Sequence, residues 1–147
     1  MIATEKHEYL KSCELFAALS DDVIEKIASR CGLRECAAGE VLFHEGDHGD
    51  TIFFIVTGKI EIYKGDDASP TVIAVLEPPD FFGEMAVLSE GIRTTSCRAK
   101  TAVTMLFLKQ KAIRLLIQTI PNVAFGLFKV LIHRLKQTND YLLALQE

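Results

Sequence analysis

The chain has no tryptophan, and its four cysteines form no Cys-x-x-Cys pair. Cys13, Cys31, Cys36 and Cys97 stand singly in apolar or mixed surroundings, which leaves zinc-ribbon and dithiol redox chemistry without their ligand spacing and predicts reduced, buried thiols. The nearest pair, Cys31 and Cys36, falls short of the closely spaced thiolates that an iron–sulfur cluster needs. Positive charge is also scarce. Lys and Arg number 16 against 20 Asp and Glu, a formal net charge of −4, and no basic cluster offsets the deficit, so direct nucleic-acid binding is not expected. No apolar run is long enough to cross a bilayer, and Met1-Ile2-Ala3-Thr4-Glu5-Lys6-His7 lacks the apolar centre of a signal peptide. A cytoplasmic chain without a membrane partner is expected.

What is present is enough for one core. At 147 residues, 49% of them hydrophobic, the chain is read as a single domain. Leu10, Leu15, Phe16 and Leu19 lead to Ser20-Asp21-Asp22, where Ser20 is placed to cap a helix in which Val23, Ile24, Ile27 and Ala28 recur at helical spacing. From Gly39 onward, Gly39, Gly46, Gly49, Gly58 and Gly65 divide the sequence into short segments rich in Val, Ile, Phe and Tyr. Lys59 to Tyr63 alternates with period two, Ile52 to Val56 and Val72 to Leu76 are fully apolar, and Thr101 to Leu108 is again extended in character. About eight short antiparallel strands closing as a jelly roll or barrel fit this spacing best.

After Lys109 the helical period returns, and Pro121 is suited to open a second, longer helix. Along it Leu127, Leu131, Leu135, Thr138, Leu142 and Leu145 fall within an arc of roughly 80° at about 100° per residue. That stripe is read either as a core-facing surface or as a seam against the barrel or a twin helix, with Thr138 turned toward a ligand. The expected class is α+β: helices over 1–35, a β-roll over 36–108 and C-terminal helices over 109–147.

The most informative segment is Phe82-Gly83-Glu84-Met85-Ala86-Val87-Leu88, followed by Arg93, Thr94 and Thr95. Gly83 and Ala86 let a backbone approach a ligand closely, and a helical turn starting there points unpaired N–H donors at an anion. Arg93 adds a planar, permanently charged fork suited to phosphate oxygens. Glu84 beside an anion is repulsive unless it accepts a hydrogen bond from a ligand hydroxyl. A phosphate together with a sugar hydroxyl accounts for both charges.

The glycine ladder Gly39-Glu40-x-Leu42-x-x-Glu45-Gly46-Asp47-x-Gly49-Asp50-x-x-Phe53-Phe54-Ile55-x-x-Gly58-x-Ile60, taken with Phe82 to Arg98, resembles the cyclic-nucleotide-binding domain family over roughly residues 10 to 147. The resemblance implies that Gly83 and Glu84 hold a ribose 2′-hydroxyl, that backbone N–H groups at Ala86 and Thr94 meet a cyclic phosphate, and that Arg93 neutralises it. Thr94 could bond the phosphate or the amino group of a syn guanine. His133 to Asp140 resembles the long helix of bacterial catabolite activator regulators, where a Thr-Ser pair contacts adenine and one member is offered across a dimer; Thr138 and Asn139 match that pair. The implied ligand is cyclic AMP, with cyclic GMP second, in a homodimer without a cofactor. The resemblance is broken at Ile92, where many members have proline, and at Cys97, where valine is frequent. The bacterial regulators continue into a helix-turn-helix domain, whereas this sequence ends at Glu147, so a stand-alone sensor or a fragment is expected, reporting to an unidentified effector.

Two other readings fit parts of the sequence. His44 and His48 flank Glu45 and Asp47, as in a cupin-like metalloenzyme, but convergent further ligands are lacking. A nucleotide-free dimerisation or docking module would use the leucine stripe, yet has no need of Gly83, Glu84 and Arg93 together. No nucleophile–base or acid–base pair can be assembled, and a non-enzyme is expected.

Overall fold

Ser20 accepts a hydrogen bond from the Val23 N–H at 3.4 Å and caps the second of two N-terminal helices, α1 (Ala3–Ser12) and α2 (Asp21–Arg30). The computed structural model describes residues 1–146. Strand structure begins at Gly32 and not at 36, which corrects the helical boundary at 35: β1 (Gly32–Cys36) pairs with β8 (Val103–Lys109). Alternation in β1 is hidden in the sequence because Leu33 points outward while Arg34 lies on the more buried face. Gly32 stands opposite Phe107, whose ring occupies the space a Cβ would need, with Cζ 2.2 Å from that position.

The remaining strands are β2 (Val41–Phe43), β3 (Thr51–Thr57), β4 (Ile60–Lys64), β5 (Thr71–Leu76), β6 (Phe81–Phe82) and β7 (Ser96–Ala99). They form two antiparallel sheets, β1-β8-β3-β6 and β2-β7-β4-β5, the jelly-roll architecture expected from the glycine spacing. β3 is apolar on both faces because both are covered. Ile52 and Phe54 pack with the helices, whereas Phe53 and Ile55 fill the space between the sheets. Burial of each such side chain contributes about 1.5–3 kcal/mol. β5 is just as apolar, but it is an edge strand with Val72, Ile73 and Val75 exposed.

The short helix α3 (Glu84–Leu88) follows β6, and two C-terminal helices, α4 (Gln110–Thr119) and α5 (Pro121–Gln146), follow β8. Pro121 is the first residue of α5, as its missing N–H and fixed φ favour. The stripe on α5 is divided: Leu127 is buried against the helical layer beside Val123 and Val130, Leu131 is half-buried, and Leu135, Thr138, Leu142 and Leu145 are exposed. Among the described residues no single helix is long and apolar enough to cross a membrane.

Candidate functional site

Gly83 closes β6 with a φ of +90°, a conformation open to glycine at little steric cost. A Cβ there would also lie 2.8 Å from both the Arg93 Nη1 and the Thr51 carbonyl. The turn starts α3 at Glu84, so the first N–H groups of this helix have no partner within it.

Arg93 is placed by the loop between β2 and β3, which joins strands of different sheets. The Gly46 N–H donates to the Arg93 carbonyl at 2.9 Å, the Arg93 N–H to the Asp47 carbonyl at 2.8 Å, and the Gly49 N–H to the Gly91 carbonyl at 2.8 Å. Gly49 lets the side chain pass, since a Cβ would stand 2.0 Å from the Arg93 Nε. The residue is only 5% exposed. Its Nη1 donates to the Gly83 carbonyl and its Nη2 to the Thr51 carbonyl, each at 3.0 Å, while the Cζ lies 4.2 Å from the centroid of Phe43. The buried Nε has no partner among the described residues. Burial pulls the guanidinium below its ordinary pKa, opposed by the fields of Asp50, Glu84 and Asp47. A buried cation held by carbonyls, without a paired carboxylate, is primed to accept an anion.

Glu84 is buried and bonds the Arg134 guanidinium of α5. Arg134 also donates from Nη2 to the Phe81 carbonyl at 2.8 Å and sits 4.4 Å above the Phe81 ring. The carboxylate still has acceptor capacity beyond that one partner. These groups border a cavity of about 990 Å³ whose sheet wall includes Ile62, Val72, Ile73, Ala74 and Leu76.

Of the residues singled out in the sequence, Phe82, Gly83, Glu84, Met85, Ala86, Arg93, Thr94, Thr95 and Thr138 all line this cavity. Asn139 is exposed and does not line it. The Thr138 hydroxyl donates to the Arg134 carbonyl at 3.0 Å, a helical back-bond. Arg134, Gln137 and Tyr141 also line the cavity and were not singled out; the signal available was their helical spacing from Thr138. Ile92 bridges to His48, and Cys97 is buried between the sheets. Burial pushes all four thiols up, Cys13 to about 11 and Cys31 to about 12.

His44 bonds Asp67 at 2.9 Å, and among the described residues no group of three or more His, Cys, Asp or Glu side chains is gathered that could hold a metal.

The family model for the cyclic nucleotide-binding domain matches residues 33–120, more than half of the chain. A CRP-like cAMP-activated global transcriptional regulator of Mycobacterium tuberculosis is 28% identical over 136 residues, covering 92% of this chain and 61% of its own length. The chain therefore spans less than two thirds of that relative. Among solved structures, the N-terminal domain of a Streptomyces coelicolor transcriptional regulator has a TM-score of 0.73 at 30% identity, covering 91% of this chain and 94% of that one. The Thermus thermophilus catabolite activator protein has a TM-score of 0.80 at 28% identity, with 91% and 63% covered. With the jelly roll and the matched residues in agreement, the chain belongs to the cyclic nucleotide-binding domain family.

Proposed function

We propose that this chain is a cyclic-nucleotide sensor whose ligand is cyclic AMP, with cyclic GMP the second choice. The observation that carries the reading is Arg93: a guanidinium 5% exposed, bonded to two carbonyls and no carboxylate, beside the unpaired N–H groups that open α3. An incoming cyclic phosphate supplies the missing anion. Gly83, Glu84, Met85 and Ala86 then hold the ribose and phosphate together with Thr94 and Thr95, and Phe82 supports the turn from between the sheets. The relatives named as cAMP-activated regulators support adenine.

The sensor works as a homodimer through α5. Phe128, Ile132, Leu135 and Leu142 are each more than half exposed, and at about 100° per residue Asn139 lies within roughly 60° of all four. Such an apolar face suits a twin helix, which would bring Asn139 to the partner's base while Thr138 stays with its own. Ligand binding at Glu84 shifts Arg134 and thereby α5, and an effector protein or the twin subunit responds to the altered helix surface. The role is recognition without catalysis, without a cofactor and without direct contact to nucleic acid, in the cytoplasm.

A thermal-denaturation titration with each nucleotide tests the reading. Ligand at about 100 times its dissociation constant adds roughly 2.7 kcal/mol of stability; no shift with either nucleotide would leave the docking module as the function of the fold.

A further inference from the structure

Arg134, Gln137, Thr138 and Tyr141 follow one another at helical spacing on α5, and all four line the cavity. Two of the polar groups are engaged. Arg134 is held by Glu84 and the Phe81 carbonyl, and the Thr138 hydroxyl by the Arg134 carbonyl. The Gln137 amide makes no hydrogen bond to any described residue. The sheet wall of the same cavity, with Ile62, Val72, Ala74 and Leu76, offers no side-chain polar partner. A nucleotide fixed by its phosphate at Arg93 and its ribose at Glu84 leaves its base to this remaining part of the cavity.

We propose that Gln137 sets the base preference of the site, its side-chain amide pairing with the adenine edge that presents an exocyclic amine beside a ring nitrogen. The inference rests on the reading of the cavity as a cyclic-nucleotide site. A carboxamide has one acceptor and one donor group side by side, and adenine offers the complementary amine donor and ring-nitrogen acceptor. Guanine places two acceptors, O6 and N7, on the same edge; these suit an arginine fork, but Arg134 is already held. Tyr141, one turn further along α5, supplies an apolar ring beside that base.

The test is the dissociation constant of the full chain for cyclic AMP, cyclic GMP and the 3′,5′-cyclic monophosphate of purine riboside, which lacks the amine. The wild-type chain binds cyclic AMP more tightly than the amine-free analogue by roughly 2- to 12-fold, the worth of the single hydrogen bond that the exocyclic amine adds. Gln137→Leu removes most of that ratio and weakens the analogue by no more than about tenfold, because the analogue's ring nitrogen loses its one bond to the amide while the phosphate grip is untouched. Gln137→Glu, which keeps an acceptor but no donor, gives an intermediate ratio. An unchanged ratio in Gln137→Leu overturns the proposal and leaves the site reading intact; a wild-type chain that binds none of the three overturns both.

Discussion

The Arg134 guanidinium on α5 bonds the Glu84 carboxylate at the first turn of α3, joining residues 50 positions apart at the edge of one cavity. Glu84 has a side chain 7% exposed, while that of Arg134 is 35% exposed. Removing the arginine leaves a buried carboxylate without its cation. Arg134→Leu is expected to destabilise the fold by about 1–3 kcal/mol, below the range for a fully buried pair because the arginine is partly solvated. Urea denaturation of Arg134→Leu, Glu84→Gln and the double variant checks this, and the double variant should lose less than the sum of the singles.

Gly49 is required by the passage of Arg93 rather than by its own backbone angle. Gly49→Ala sets a methyl 2.0 Å from the present Arg93 Nε position, so the guanidinium or the loop before β3 must move. An overpacking cost of about 1–3 kcal/mol is expected, with weakened nucleotide binding beside it. Denaturant midpoints and a binding isotherm on the same preparation measure both.

His44 and Asp67 give the outer edge of the roll a pH dependence. The hydrogen bond that His44 donates to Asp67, with the charge of that carboxylate, raises the His44 pKa above 6.5, and the same pair lowers Asp67 below 3.8 with help from the Tyr63 hydroxyl. The histidine's contribution is fully present below 6.5 and disappears as pH rises through its raised folded value. The aspartate's contribution is present above 3.8 and disappears as pH falls through its lowered folded value. The pair thus stabilises between the two ordinary values, and Asp67→Asn should narrow its gap from wild type above neutral pH. An NMR titration should show the His44 midpoint falling toward 6.5 in that variant.

The exposed face of α5 predicts the assembly state. Leu135→Glu with Leu142→Glu should convert a dimer to a monomer in sedimentation velocity, while the monomer remains folded because both side chains are more than half exposed in the isolated chain. A wild-type chain that sediments as a monomer with and without cyclic nucleotide would remove the dimer from the account.

Much of this architecture was legible because local chemistry and global fold agree. Ser20 caps α2, Pro121 opens α5, and the glycines from Gly39 to Gly65 separate strands. β1 was obscured because its more buried face carries Gly32 and Arg34, a pattern that resembles a polar helix end. The two apolar runs looked alike in sequence, yet β3 is central and β5 is an edge, a distinction made by topology alone. In the site, the segment from Phe82 to Thr95 is contiguous in sequence and therefore visible. The partners of Arg93, the Thr51 and Gly83 carbonyls with the Phe43 ring, depend on main-chain placement and a cross-sheet approach that side-chain identity does not encode. Arg134 looked like one more charge on a long helix until the fold set it against Glu84.

The most direct measurement is titration calorimetry of wild type and Arg93→Ala with cyclic AMP and cyclic GMP. The account predicts that wild type binds and that Arg93→Ala loses roughly 2–5 kcal/mol toward both nucleotides, the cost of stripping one partner from a buried charge pair. Circular dichroism of the variant should match wild type. Equal affinity of the folded variant and wild type for either nucleotide would contradict the assignment of Arg93 as the phosphate-binding group.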